Sequence, residues 1–178
     1  HNNGFLITPS GKKYSSLKVK DIVFVSLDGK YEKKYKPSSE WRFHQDIYIK
    51  KKDAQAIVHT HSTNATALSV HKKPIPAFHY MVALAGGNDI KCAKYATYGT
   101  RELSKNILKA LNNRKACLIA NHGQIAFDKN LPDAFELAQE VENLSLQYIT
   151  ALKLGKPKIL SINEMNKVLK KAKNYKRG

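Results

Sequence analysis

Cysteine is scarce. Only Cys92 and Cys117 occur in 178 residues, both among apolar neighbours. A lone pair in a chain of this length does not look like a disulfide framework, and a reducing, cytoplasmic setting is expected. No uninterrupted apolar run approaches the ~18 residues that a membrane span needs, so no membrane partner is expected. Internal repeats and low-complexity stretches are also missing. Gly-rich phosphate loops of the nucleotide-binding types are absent, which removes support for a nucleotide-binding doubly wound fold. Arginine is rare: of 31 basic residues only Arg42, Arg101, Arg114 and Arg177 are arginine. Acidic residues number 14, which leaves a net charge of +17. Readout of bases favours arginine, and single-strand binding favours aromatics set among the basic residues. Neither pattern occurs, so nucleic acid is not an expected partner. The scattered lysines read as a solvated surface whose field attracts small anions such as sugar phosphates.

What is present suits one globular domain with a sizeable core. Hydrophobic residues make up 42% and charged residues 25%, which argues against disorder. The chain opens His1-Asn2-Asn3-Gly4 and runs straight into an apolar strand, so an upstream segment is expected. Residues 5–7 and 22–27 read as strands. Asp28-Gly29 is a tight-turn pair, and the chain from Tyr31 is expected to return antiparallel. Pro37-Ser38-Ser39 opens a helix to about residue 49, with Trp41, His44, Ile47 and Tyr48 on one face. Residues 56–58 form a short strand running into His59, and a helix over 64–70 follows. Thr100 caps a helix over 101–111. Residues 117–120 and 124–127 are strands flanking Asn121-His122-Gly123. Pro132 starts a helix to residue 154, with Phe135, Ala138, Val141, Leu144, Tyr148 and Leu152 on one stripe. Ser161 to Glu164 is a capping box for a last helix to about Tyr175. The sum is a sheet with helices packed on it, at least partly antiparallel.

Several of these elements carry residues with chemistry. In a strand, alternate side chains share a face, so His59 and His61 point the same way and can bind one divalent ion. The plain alternative is two polar residues at a strand end. His122 ends a second strand and precedes Gly123, and glycine lets backbone turn sharply or approach a ligand closely. Three imidazoles at strand ends would make a catalytic metal site with an open position. Glu40 is a candidate acid or base, although the helix dipole alone favours a carboxylate in a first turn. Ser38 and Ser39 read as caps or as an anion site, and Ser10-Gly11 is a second phosphate turn. His44 reads as a core or supporting histidine. His71 sits in an exposed turn. Tyr80, after His79, is either a proton donor to a developing alkoxide or a core aromatic.

Taken in order, these strings resemble the class II aldolase/adducin family. They are Leu6-Ile7-Thr8-Pro9-Ser10-Gly11, then Pro37-Ser38-Ser39-Glu40-Trp41-Arg42-Phe43-His44, then Val58-His59-Thr60-His61. Ile75-Pro76-Ala77-Phe78-His79-Tyr80-Met81, Gly86-Gly87-Asn88, Tyr98-Gly99-Thr100-Arg101-Glu102-Leu103 and Asn121-His122-Gly123 complete the series. The resemblance covers essentially the whole chain. It implies one α/β domain over residues 1–178, a three-layer fold with a mostly antiparallel central sheet flanked by helices. The family's leading helix and Gly-Asn-x-Ser turn are expected before this segment. The resemblance implies one zinc ion per subunit held by His59, His61 and His122. Glu40 falls at the catalytic acid/base position, which can also approach the metal. Ser10, Gly11, Ser38 and Ser39 match phosphate-binding positions. Tyr80 and Tyr175 match tyrosines that reach a neighbouring active site in a homotetramer. Ala172 stands where the family has an aromatic residue.

The implied reaction is aldol cleavage of a ketose 1-phosphate, L-fuculose 1-phosphate being the expected substrate. The products would be dihydroxyacetone phosphate and L-lactaldehyde, formed through a metal-stabilised enediolate. A pentulose-phosphate 4-epimerase of the same fold is the nearest alternative, but those enzymes usually have Asp where Glu40 stands. A non-catalytic adducin-like interaction module is the alternative of another class, and the retained histidines and Glu40 argue against it.

Overall fold

The computed structural model describes residues 3–174. In chain order the elements are β1 (Gly4–Ile7), β2 (Val23–Ser26), α1 (Trp41–Lys50), β3 (Ala56–Thr60), α2 (Thr63–Ser69), β4 (Ile75–Pro76), β5 (Asp89–Ile90) and β6 (Cys92–Ala93). They continue with α3 (Arg101–Ala110), β7 (Ala116–Ile119), β8 (Gly123–Asp128), α4 (Leu131–Lys153) and α5 (Ile162–Asn174). A 3-10 turn over Tyr80–Ala85 lies between β4 and β5. The chain gathers into two compact units, residues 3–52 with Ala96–Leu108, and Asp53–Tyr95 with residues 109–174.

The first unit is built on a strand pair. β1 and β2 run antiparallel, with Phe5 opposite Val25 and Ile7 opposite Val23. Phe5, Ile7, Val23 and Val25 are buried, whereas Leu6 and Phe24 between them face outward. This is the period-2 pattern of a sheet with one covered face. Trp41 and Tyr48 of α1 pack on that buried face, and the Phe5 and Tyr48 rings lie 5.2 Å apart. Gln45 is also buried and donates from Nε2 to the Leu27 carbonyl at 2.8 Å. α3 starts where Thr100 Oγ1 accepts from the Leu103 N–H at 3.2 Å.

The second unit holds a four-stranded sheet of order β3-β8-β7-β6. β3 with β8 and β8 with β7 are antiparallel, and β6 joins β7 in parallel. The expected mostly antiparallel central sheet is therefore present. Every residue of β7 is buried, and β8 is buried from Gly123 to Phe127. α4 begins with Pro132 in its first turn, where Asn130 Oδ1 accepts from the Asp133 N–H at 2.9 Å. It packs on β8, β3 and α2. In the same unit, the Arg114 guanidinium is enclosed by the Gly86-to-Asp89 turn. It donates to the Asp89 carbonyl at 2.9 Å, to Asn88 Oδ1 at 2.9 Å and to Asp89 Oδ1 at 2.6 Å. A Cβ at Gly87 would lie 2.0 Å from Arg114 Cζ.

Three expectations need correction. Residues 31–36 form no strand after the Asp28-Gly29 turn, and β2 pairs backward with β1. That stretch, Tyr31-Glu32-Lys33-Lys34-Tyr35-Lys36, is exposed throughout and offers no apolar face to bury. α1 begins at Trp41, because the Glu40 N–H turns back to Ser38 Oγ at 3.3 Å. Glu40 is thus the residue before the helix. On α4 the buried stripe is Ala134, Leu137, Ala138, Val141, Leu144 and Ser145, while Phe135 and Leu152 are exposed. The stripe that faces the core is thus centred on Leu137, Val141 and Leu144, with Ala134 and Ala138 beside them, and Phe135 and Leu152 fall off its edge. Cys92 and Cys117 are unpaired thiols, and burial raises the Cys92 pKa to about 11. Among the described residues no helix is long and apolar enough to cross a membrane.

Candidate metal centre

The centre lies at one end of the second unit's sheet. Apolar Ala56, Ile57 and Val58 pair β3 with β8, with His59 opposite Ile125 and Thr60 opposite Gln124. The His59 Nδ1–H donates to the Gln124 carbonyl at 2.7 Å. A carbonyl can only accept, so the proton of the neutral ring sits on Nδ1 and Nε2 presents a lone pair. His61 follows on the same face, its Nε2 3.1 Å from that of His59. The β7–β8 turn brings the third ring. Asn121 takes a positive φ of 54°, and the His122 N–H reaches the Ile119 carbonyl at 3.1 Å. Ring centroids are 4.9 Å apart for His59–His61 and His59–His122, and 4.8 Å for His61–His122.

This spacing suits a shared ion. Zinc–nitrogen bonds of about 2.0–2.1 Å in tetrahedral geometry put nitrogens roughly 3.3 Å apart. The ligand atoms of the three rings lie within 4.8 Å of one another. His59 and His122 are half-buried and His61 is exposed, so the rings sit at a solvent-facing end of the sheet. Three imidazoles of this kind are a donor set for zinc and for other late divalent metals. Gly123 makes the approach of the strands possible. A Cβ there would stand 2.3 Å from the Thr60 carbonyl oxygen and 3.2 Å from His61 Cα.

Two supports carry no local sequence signature. Ser69, at the end of α2, is fully buried and holds the His122 turn from outside. Its Oγ takes the His122 N–H at 3.3 Å and its carbonyl takes the Asn121 N–H at 3.3 Å. Gln124 is the other, through the carbonyl that fixes the His59 ring. Their partners are 53 and 65 residues away in sequence, beyond the reach of motif spacing.

The phosphate-type residues come together in the first unit. Pro9 bridges Pro37, the Ser10 N–H donates to the Lys36 carbonyl at 2.9 Å, and the Ser38 N–H donates to the Thr8 carbonyl at 2.9 Å. Ser10 and Ser38 use their backbone N–H groups on this pairing, so their hydroxyls are what an anion would meet. Gly11 turns with φ 72°, and Gly99 lies against Ser39, where a Cβ would be 3.0 Å from the Ser39 carbonyl oxygen. Glu40 is buried at the start of α1 in the same unit. His44 is half-buried beside Phe43, and His71 is exposed as expected.

Tyr80 opens the 3-10 turn of the second unit and is 54% exposed, so the core-aromatic reading does not hold. Its ring stacks on His79 at 4.8 Å. It borders a cavity of about 480 Å³ with Met81, Ala83, Leu84, Val168, Lys171 and Ala172, and none of the three histidines lines it. Tyr175 lies outside the described residues.

A mixed α/β fold whose sheet end gathers three imidazoles around one point has the donor set of a metal-dependent enzyme. Comparison with known proteins narrows the class. The model of the Class II Aldolase and Adducin N-terminal domain matches residues 1–149, and the chain belongs to that family. It is 51% identical over 173 residues to the 5-methylthioribulose-1-phosphate/5-deoxyribulose-1-phosphate aldolase of Rhodospirillum rubrum, covering 97% of this chain and 78% of that one. It is 49% identical over 176 residues to the L-fuculose phosphate aldolase of Escherichia coli strain K12, covering 98% and 82%. A solved L-fuculose 1-phosphate aldolase superposes with a TM-score of 0.92 at 42% identity, over 96% of this chain and 81% of that one.

Proposed function

We propose that this chain is a metal-dependent aldolase that cleaves a ketose 1-phosphate to dihydroxyacetone phosphate and a short aldehyde. The observation that carries the reading is the three-histidine cluster, with the His59 tautomer fixed by the Gln124 carbonyl. A divalent ion held by His59, His61 and His122, zinc being the proposed one, supplies Lewis-acid stabilisation of the charge that develops as the carbon–carbon bond breaks. No lysine Schiff base is then required.

The remaining work falls to this chain's own groups. As the bond between C3 and C4 breaks, the C4 hydroxyl loses its proton and C3 gains one. Glu40, at the family's acid/base position, carries the proton at C3 and is also proposed to approach the metal. Tyr80 serves the oxygen that becomes the aldehyde, with Tyr175 as a second tyrosine of the site. Ser10, Gly11, Ser38 and Ser39 hold the phosphate, and the lysine-rich surface draws the anion in.

The full reading treats residues 1–178 as one class II aldolase/adducin-like domain acting in the cytoplasm as a homotetramer, with Tyr80 and Tyr175 reaching neighbouring sites. The exposure of Tyr80, at 54%, is what a residue reaching a neighbouring site requires. Unpaired Cys92 and Cys117 support a reducing compartment.

L-Fuculose 1-phosphate is the proposed substrate, giving L-lactaldehyde. A second reading, 5-deoxyribulose 1-phosphate or its 5-methylthio analogue, is favoured by the Rhodospirillum rubrum relative. A coupled assay for dihydroxyacetone phosphate tests both, using the metal-loaded chain with each sugar phosphate and a chelator-treated control. Chelator-sensitive release is expected, and the larger kcat/KM names the substrate. Zinc bound at about one per subunit with no release from either would turn the reading toward a 4-epimerase. Neither product nor bound metal would turn it toward an interaction module.

A further inference from the structure

Gln124 is an oddity in β8. Its neighbours in the strand are Gly, Ile, Ala and Phe, and its amide side chain is 1% exposed. Burying an amide costs free energy unless its hydrogen bonds are made. Both N–H bonds of Nε2 are used, one to Ser62 Oγ at 2.9 Å and one to the Ala138 carbonyl of α4 at 2.9 Å. Its Oε1 is buried with no hydrogen-bond partner. The donors are therefore what the fold uses.

Ser62 is the residue after His61, and its hydroxyl is among the groups that lower the pKa of Glu142 of α4. The Glu142 carboxylate accepts from the Asn64 N–H, the Asn64 side-chain amide and the Ala65 N–H, each at 2.8 Å. Burial pushes this carboxyl up, but the hydrogen bonds from Asn64, Ala65 and Ser62 outweigh it and hold the pKa below the ordinary value. A charged acceptor thus grips the start of α2 immediately after the histidine strand. The other end of α2 is Ser69, which holds the His122 turn. α2 is a strut between His59-Thr60-His61 and His122, and α4 fastens its near end.

We propose that Gln124 and Glu142 are positioning residues that set the spacing of the three imidazoles, and through it the metal affinity, without touching metal or substrate. The inference rests on the metal reading above. Its logic is that outer partners of metal ligands typically change affinity by about 10- to 100-fold when lost.

The test is zinc affinity of the full chain, by competition with a chromophoric chelator, for wild type, Gln124→Leu and Glu142→Gln. Both substitutions nearly keep side-chain volume. Ser104→Ala is the control, because it removes an equally buried hydroxyl, bonded to Asp46, in the other unit. About 10- to 100-fold weaker binding is expected for each of the two variants, with an altered absorption spectrum of the cobalt-loaded forms and no change for the control. If either variant fails to fold, Ser62→Ala is measured by the same criterion. Wild-type affinity and spectrum with only a lowered melting temperature would show a purely structural role and overturn the inference. A wild-type chain that takes up no metal would instead overturn the metal reading, and this inference with it.

Discussion

The two compact units meet two chemical demands in different ways. In the first, the residues assigned to the phosphate sit on turns, Ser10-Gly11 and Ser38-Ser39, pinned by short backbone bonds beside exposed lysine-rich loops. In the second, the residues assigned to the metal are side chains at the end of β3 and in the β7–β8 turn, on a sheet backed by α2 and α4. An anion can be met by hydroxyls whose direction follows from the backbone of the turn, so a turn suffices. A metal needs several imidazoles from distant parts of the chain at one point, and only a packed scaffold fixes such rings. The difference teaches that substitutions at the histidines and their supports should register in metal content, and substitutions at the phosphate residues should leave it alone.

The largest effect that sharpens this contrast is expected from His122→Ala. With one of three ligands gone, zinc content should fall well below one per subunit and cleavage by about a thousandfold or more, read by metal analysis and the dihydroxyacetone phosphate assay. Full zinc and full turnover would remove the cluster from the mechanism. Glu40→Gln in the first unit is expected to keep its zinc and lose about 10²- to 10⁴-fold in kcat, as for a lost acid/base group. Loss of metal in that variant would show that Glu40 serves as a ligand rather than as acid/base alone. A smaller effect is expected from Gly123→Ala, whose Cβ would meet the Thr60 carbonyl at 2.3 Å. The metal-free protein should lose about 1–3 kcal/mol and bind zinc more weakly. Unchanged melting and unchanged affinity would show that the close approach of β3 and β8 is dispensable.

Much of this was legible from short-range pattern. His59-Thr60-His61 follows an apolar triplet, and strand alternation alone aligns the two rings. The ends of α4 were marked by Pro132 and Gly155, and the start of α5 by Ser161, whose Oγ takes the Glu164 N–H at 3.1 Å. The meeting of His122 with that pair was not legible from spacing, because it depends on β8 folding back between β3 and β7. It came from the family resemblance. The failures share one cause. The strand expected from Tyr31 and the inward Phe135 were read from turn chemistry and helical period, and both depend on what lies opposite, which local pattern does not report. Gln124 and Glu142 escaped for the same reason: each is an ordinary polar residue until the fold supplies Ser62 and the start of α2.

The Arg114 guanidinium occupies the space above Gly87 where any side chain would begin. The consequence is evolutionary. A side chain at 87 would have to push the guanidinium aside, so the order of change matters. A lineage that gains one there gives up the arginine's present position, and with it the bonds that close the Asn88-Asp89 turn onto the neighbouring loop. The two positions should therefore covary across homologous sequences, glycine travelling with arginine and larger residues at 87 with smaller ones at 114.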